Sequence, residues 1–148
     1  MTFTQFSTEQ KKTFAKEFRF GLESEYLVVK KDDFTPLWHQ ELTFDILNGI
    51  FETISLEGIP SCEGLDLEPP QTKLMPFVVE GYHLPDMDFH AKEILPKGVE
   101  IRTPVCDSLE QVLKIHTLLH SRLKAAMNAH GYDIVCLSHH PIHSKFSG

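Results

Sequence analysis

Several features that would assign a function directly are missing from this sequence. No apolar run approaches the roughly 18–20 residues that cross a bilayer, and no basic segment followed by an apolar one opens the chain. The 14 lysines and arginines are outnumbered by 21 aspartates and glutamates, which gives a formal net charge of -7. Nucleic-acid-binding proteins carry a basic surface. We therefore expect neither a membrane nor a nucleic-acid partner.

Cysteine is scarce, and its spacing indicates no known framework. The three cysteines, Cys62, Cys106 and Cys136, are widely separated and match no zinc or disulfide pattern. The sequence also lacks a glycine-rich phosphate loop and a nucleophile elbow. These absences predict a reduced, cytoplasmic protein whose function depends on other residues.

The composition and the hydrophobic pattern predict one domain that covers residues 1–148. A chain of this length with 41% hydrophobic residues can form a real core. The predicted helices cover residues 11–17, 40–55 and 108–130, and the predicted strands cover 18–30, 73–81, 98–105 and 132–137. Because the strands carry charges on one face and apolar residues on the other, we expect an α+β fold in which helices pack on one face of a sheet.

Two glutamates stand one residue apart in a strand-like run, Gly21-Leu22-Glu23-Ser24-Glu25-Tyr26. Side chains alternate along a strand, so both carboxylates share one face, about 6–7 Å apart. Two such groups repel unless a positive charge lies between them, and a hard divalent cation would supply it. The alternative is an exposed strand face on which both glutamates contact water.

A second charged pair lies in Gly98-Val99-Glu100-Ile101-Arg102-Thr103-Pro104. Alternation places Glu100 and Arg102 on one face, and a plain surface ion pair is the alternative to a functional role. Glu93 precedes Glu100 by seven residues, and a turn through Pro96 and Gly98 is one geometry that could bring the two together.

Histidines form the third group of candidates. His139, His140 and His143 follow the last predicted strand, where imidazoles could bind a metal or phosphate or simply lie in an exposed loop. His116 and His120 are four residues apart on the last helix, a spacing that suits either a shared metal or packing.

These three segments, in this order, resemble the N-terminal half of the carboxylate–amine ligases, the second type of glutamate–cysteine ligase family within the glutamine synthetase superfamily. The motifs are the Gly-x-Glu-x-Glu strand, the Glu-x-Arg-Thr-Pro strand, and a helix and strand that lead to His140-Pro141. The resemblance covers residues 18–144. It implies a curved, mostly antiparallel sheet whose concave face binds ATP, divalent metal and an amino acid, with helices on the convex side.

The resemblance also implies a reaction. Such ligases use ATP to phosphorylate the side-chain carboxylate of glutamate, and an amine such as cysteine attacks the γ-glutamyl phosphate to give an amide, as in glutathione biosynthesis. Mg²⁺ or Mn²⁺ ions neutralise the phosphates. By motif match, Glu23, Glu25, Glu93 and Glu100 are expected to be metal ligands, His140 a metal or phosphate contact, and Arg102 a group that faces substrate or phosphate.

The chain departs from the family in length, because the relatives are longer and their C-terminal halves supply further ligands. We therefore expect an N-terminal portion of the catalytic domain. The alternative is a non-catalytic or truncated homologue that acts as a metal- or partner-binding module. An open sheet edge would favour association with a second copy.

Overall fold

Four strands and two helices make up the described part of the chain. The computed structural model describes residues 19–35, 37, 41–60, 75–85 and 91–137. Its elements are β1 (Glu23–Lys30), α1 (Phe44–Glu52), β2 (Phe77–Pro85), β3 (Ala91–Arg102), α2 (Leu109–Ala129) and β4 (Tyr132–Val135). The predicted helix over residues 11–17 lies outside the described residues. Among the residues described, neither helix is long and apolar enough to cross a membrane.

Side-chain hydrogen bonds cap the start of both helices, and a glycine follows the end of α2. Thr43 caps α1, since its side chain accepts the backbone N–H of Ile46 at 3.3 Å. Ser108 caps α2 in the same way, with the N–H of Gln111 at 3.2 Å. Gly131 follows the C-terminal end of α2 with φ of 83°, a left-handed conformation that favours glycine. The predicted start and end of the long helix are confirmed.

The strands form one antiparallel sheet in the order β2-β3-β1-β4. Strand β3 pairs with β2 on one side and with β1 on the other, and β1 also pairs with β4. Strands β2 and β4 are therefore the edges of the described sheet. The expected α+β class with an antiparallel sheet is confirmed.

Both helices pack on the same face of the sheet. Tyr26 and Val28 of β1 and Val99 and Ile101 of β3 alternate toward this face, and all are buried. Their core partners on the helices are Leu47 and Ile50 of α1 and Leu119, Leu123 and Met127 of α2. The other face of β1 and β3 carries the charged residues, as the alternation predicted.

Strand β3 is longer than the sequence suggested. Residues Ala91–Arg102 form one strand, so a turn through Pro96 and Gly98 does not form. Glu80 pairs with Gly98 while the next residue, Gly81, pairs with Pro96, which leaves Lys97 as an extra residue in β3. Such a bulge accommodates a proline, which cannot donate to the hydrogen-bond ladder.

The continuous strand separates two residues that such a turn would have brought together. Position 93 lies opposite Leu84 on β2, whereas position 100 lies opposite Val78. Seven residues of strand span roughly 20 Å, so a turn does not bring Glu93 beside Glu100. The role of Glu93 as a metal ligand stays a prediction.

Gly98 allows β1 and β3 to approach closely beside the bulge. A Cβ atom at this position would collide with the carbonyl oxygen of Tyr26 on β1. Because Tyr26 pairs with Val99 and Glu25 with Glu100, this contact lies next to the charged residues of both strands. A residue without a side chain is therefore required here by the packing of backbone on backbone.

Candidate functional site

The two charged motifs face each other on the central strands of the sheet. In the β1–β3 register, Glu23 lies opposite Arg102 and Glu25 lies opposite Glu100. Directly opposed residues of an antiparallel pair have Cβ atoms about 4.5–5.5 Å apart. The structure thus brings together the two pairs of charged residues that the sequence analysis identified separately. We call this set, Glu23, Glu25, Glu100 and Arg102, the carboxylate face.

Glu100 is the buried centre of the carboxylate face. It is 3% exposed, and its carboxylate binds the guanidinium of Arg102 with both oxygens. The Arg102 Nε lies 2.8 Å from one oxygen and Nη2 lies 3.0 Å from the other. Bidentate, charge-assisted pairs of this kind are among the strong hydrogen bonds in proteins. The ion pair that the alternative predicted is therefore present, with Glu100 buried and not at the surface.

Arg102 also reaches across to β1. Its Nε lies 3.6 Å from a carboxylate oxygen of Glu23, which is 68% exposed at its side chain. The hydrogen bonds to Glu100 raise the pKa of Arg102 although burial opposes this, so the guanidinium is a permanent cation between two acidic residues.

The ionisation of Glu100 follows from competing effects. Burial opposes the charged form, but the hydrogen bonds from Arg102, a further bond with Glu80 and the charge of Arg102 outweigh it. The pKa of Glu100 is therefore held below its ordinary value, and the group is a carboxylate at neutral pH. A charged carboxylate is the form that binds a metal.

Glu80 is a member of this site that the sequence reasoning missed. It lies on β2 opposite Gly98, two residues from the Val78–Glu100 pair, and so on the same face as Glu100. Glu80 helps to lower the pKa of Glu100, so the two side chains interact. The sequence did contain a signal for Glu80. It interrupts the apolar run that begins at Phe77, just as the two glutamates of β1 interrupt an apolar strand.

Thr103 is a second missed residue, and it holds the start of β1. Its hydroxyl accepts the N–H of Leu22 at 2.7 Å, and its own N–H donates to the carbonyl of Leu22 at 2.9 Å. A Cβ at Gly21 would lie 3.2 Å from the carbonyl oxygen of Thr103. Gly21 of the first motif and Thr103 of the second are thus in close contact. This contact places Glu23 next to Arg102.

The histidine candidates fall elsewhere. His140 lies outside the described residues, so its role stays a prediction. His116 is within 2.7 Å of the Ser24 hydroxyl and 3.3 Å of the Tyr26 hydroxyl, on the helix-covered face of the sheet. Burial and the neighbouring His120 lower the pKa of His116. His116 and His120 therefore pack behind the carboxylate face instead of adding ligands to it.

A cavity of about 770 Å³ lies between α1 and the start of β2, and Arg102 is among its lining residues. Its walls are mostly apolar residues of α1, of the segment that follows it and of the start of β2, including Phe51, Ile54, Phe77 and Val79. Phe77 and Val79 pair with Ile101 and Val99, so most of this cavity belongs to the helix-covered side of the sheet.

The chemistry of the donors fits a hard divalent cation. Carboxylate oxygens are the ligands that Mg²⁺ and Mn²⁺ prefer, and Glu25 and Glu100 present them from opposed strand positions. In the part of the chain that the structure describes, no three acidic, histidine or cysteine residues are close enough to hold a metal together.

The described sheet is antiparallel, with carboxylates on one face and both helices on the other. A model of glutamate-cysteine ligase family 2 (GCS2) matches residues 19–147. The chain therefore belongs to this family, as the motifs suggested. Comparisons with curated proteins and with solved structures gave no match. Family membership indicates a ligase of the carboxylate–amine type with small-molecule substrates.

Proposed function

We propose that this chain carries the metal-binding part of an ATP-dependent carbon–nitrogen ligase of the glutamate–cysteine ligase type. The observation that supports the proposal best is the opposition of Glu25 and Glu100 on neighbouring strands, beside the Glu23–Arg102 pair. Four charged side chains from two motifs of the matching family meet on one sheet face.

The proposed reaction has two steps. The side-chain carboxylate of glutamate takes the terminal phosphoryl group of ATP, which releases ADP. The nitrogen of an amine such as cysteine then attacks the carbonyl carbon of the γ-glutamyl phosphate, and inorganic phosphate leaves as the amide forms. With cysteine as the amine, this is the reaction of glutathione biosynthesis, and we place it in the cytoplasm.

The chain's own residues would bind and orient the reactants. Glu23, Glu25 and Glu100 would hold Mg²⁺ or Mn²⁺, with Glu93 and His140 as further ligands by motif match. When bound, the metal ions neutralise the phosphates and the charge that develops during phosphoryl transfer. Arg102, whose guanidinium binds Glu100 on the carboxylate face, would contact the phosphate or a substrate carboxylate.

Glu25→Gln tests the proposal, because it removes the charge that opposes Glu100 and keeps the shape of the side chain. We expect the dissociation constant for Mn²⁺, measured by electron paramagnetic resonance, to rise about 100-fold. ADP release that requires glutamate and an amine together should fall in parallel.

Glu57→Gln is the matched control. Glu57 is an exposed carboxylate in the turn after α1, away from the carboxylate face. Its substitution should leave the Mn²⁺ affinity unchanged. Equal Mn²⁺ affinity in the wild-type chain and Glu25→Gln would contradict the metal assignment. Metal binding without any substrate-dependent ADP release would instead support the binding-module alternative.

A further inference from the structure

Three polar side chains meet where α2 packs on β1, on the face of the sheet opposite Glu23 and Glu25. The Nε2 atom of His116 lies 2.7 Å from the hydroxyl oxygen of Ser24 and 3.3 Å from that of Tyr26. The two hydroxyl oxygens are 3.2 Å apart. We call this set, Ser24, Tyr26 and His116, the α2–β1 cluster. Its hydrogen bonds join the helix to the strand that carries both glutamates.

The hydroxyl hydrogens of the α2–β1 cluster both find an acceptor while His116 is neutral. A neutral imidazole has one acceptor nitrogen, and a hydroxyl both donates and accepts. With Nε2 as the acceptor, one hydroxyl donates to the other, which donates to the ring. A protonated imidazole has no acceptor nitrogen, so one hydroxyl hydrogen then loses its partner within the cluster. A polar group that loses its partner away from water costs stability.

The surroundings of His116 also oppose a positive charge. Burial and the neighbouring His120 lower the pKa of His116. The two imidazole rings are stacked with their centroids 6.3 Å apart, and the ring of His120 lies 5.3 Å from that of Tyr26. Two protonated rings at this separation would repel each other.

The described elements that pack around the α2–β1 cluster supply no compensating negative charge. Apolar core side chains come from the other elements on this face, namely Leu47 and Ile50 of α1, Val99 and Ile101 of β3 and Ile134 of β4. The titratable groups that the structure describes at the cluster are Tyr26 and His120. The ion pair of Lys124 with Asp133 lies about two helical turns further along α2.

We propose that His116 is a pH-sensitive contact that holds α2 against β1 while it is neutral and releases this attachment when it is protonated. The proposal does not depend on a bound metal or on the proposed ligase activity. The folded-state pKa of His116 is lower than the unfolded-state value of about 6.5. The stabilisation is therefore complete above that value and is lost as the pH falls from there through the folded-state pKa.

The protonation step can be followed directly by NMR. In the wild-type chain, the ring signal of His116 is identified by its loss in His116→Gln, and its chemical shift is recorded from pH 8 to pH 5. We expect a titration midpoint below about 6.5, the ordinary value for histidine. A midpoint at or above that value would overturn the proposal, because protonation would then not oppose the folded state.

Ser24→Ala tests whether Nε2 is the acceptor. This variant keeps the histidine and removes a donor that favours its neutral form, so the titration midpoint of His116 should rise. An unchanged or lower midpoint would contradict the proposal, because Nε2 would then donate to Ser24 or be independent of it.

Urea unfolding at pH 7.5 and at pH 5 measures the consequence for stability. This range lies above the ordinary pKa values of aspartate and glutamate, about 3.9 and 4.3, so histidines dominate the response. The equilibrium constant for unfolding should increase more on acidification in the wild-type chain than in His116→Gln, whose amide keeps an acceptor but does not titrate. Equal increases in the two chains would overturn the proposal.

His130→Gln is the matched control for His116→Gln. His130 is an exposed histidine at the C-terminal end of α2, with its Nδ1 2.9 Å from the carbonyl oxygen of Ala126. Its substitution should leave the pH dependence of unfolding close to that of the wild-type chain. A loss of pH dependence as large as in His116→Gln would contradict the assignment to the α2–β1 cluster.

Hydrogen exchange of the backbone amides locates the release within the fold. After correction for the intrinsic effect of pH, protection of residues 23–26 and 112–120 should fall at pH 5 by a larger factor than protection of residues 47–52 in α1. His116→Gln should show no such difference. An equal loss of protection in all three segments of the wild-type chain would overturn local release, because acid would then destabilise the whole fold.

Discussion

Glu100 and Asp133 are both buried carboxylates of the same sheet, yet their surroundings differ in kind. Asp133 on β4 is 7% exposed and receives hydrogen bonds from Lys124, Asn128 and the N–H of Ile134. All these donors come from α2 and β4, so the group joins the helix to the edge strand. Its negative charge is balanced by Lys124 at 2.9 Å.

Glu100 is surrounded mainly by other acids. Glu25 is opposite it, Glu80 lies on the same face of β2, and the guanidinium that binds it also lies 3.6 Å from Glu23. The carboxylate face therefore carries more negative than positive charge, whereas the surroundings of Asp133 are balanced. Removing one partner of a balanced buried carboxylate costs stability, and a surplus of negative charge on one face is suited to binding a cation.

Gly98→Ala should have the largest effect on stability and metal affinity. It disturbs the region around Glu100 and leaves the region around Asp133 intact. The new Cβ would collide with the carbonyl oxygen of Tyr26, which would push β1 from β3 and separate Glu25 from Glu100. We expect a loss of about 3 kcal/mol in the free energy of unfolding, measured with urea. Metal affinity should fall as well.

Gly49→Ala is the matched control for Gly98→Ala. Gly49 lies in α1, and nothing is within 4 Å of the position its Cβ would take. Alanine favours the helix over glycine, so the free energy of unfolding should rise by about 0.5–1 kcal/mol. Equal effects of the two substitutions would show that the close approach of β1 and β3 is not required.

Asp133→Ala should affect stability without affecting metal binding. It removes the acceptor of Lys124, Asn128 and Ile134 and leaves their donors without this partner. We expect a loss of about 2 kcal/mol in the free energy of unfolding. The Mn²⁺ dissociation constant should equal that of the wild-type chain, and a large increase would mean that the two regions are coupled.

A change in pH should have a smaller effect on the free energy of unfolding. Burial opposes ionisation of Asp133, but the bonds from Lys124, Ile134 and Asn128 hold its pKa below the ordinary value. Because the folded-state pKa is lower than the unfolded-state value of about 3.9, the stabilisation is complete above that value and is lost as the pH falls through the folded-state pKa.

Asp133→Asn separates this contribution from that of other carboxylates. On acidification from pH 7 to pH 3, followed by urea unfolding, the wild-type chain should lose more stability than the variant. If both lose the same amount, the pKa of Asp133 is not lowered in the folded state.

The sequence predicted those parts of the site that depend on alternation within one strand. The shared faces of Glu23 with Glu25 and of Glu100 with Arg102 follow from the period of two, and the family motifs gave their order. The register that opposes Glu25 to Glu100 joins residues 75 positions apart, and no local pattern encodes it. The buried state of Glu100 depends on the same long-range pairing.

The errors arose where tertiary pairing overrode local signals. Pro96 and Gly98 are typical of a turn, but β2 pairs along the whole of β3, and a bulge at Lys97 absorbs the proline. Strand β2 was expected over residues 73–81 and is observed over Phe77–Pro85. Glu80 was missed as a candidate because its importance depends on the position of β2 beside Glu100.

The central claim is that the surplus charge around Glu100 binds a divalent cation, and one comparison tests it most directly. Mn²⁺ dissociation constants should be measured by electron paramagnetic resonance for Glu100→Gln and Asp133→Asn, which each neutralise one buried carboxylate of the sheet. We predict an increase of about 100-fold for Glu100→Gln and no change for Asp133→Asn. Equal dissociation constants for the two variants would contradict the claim.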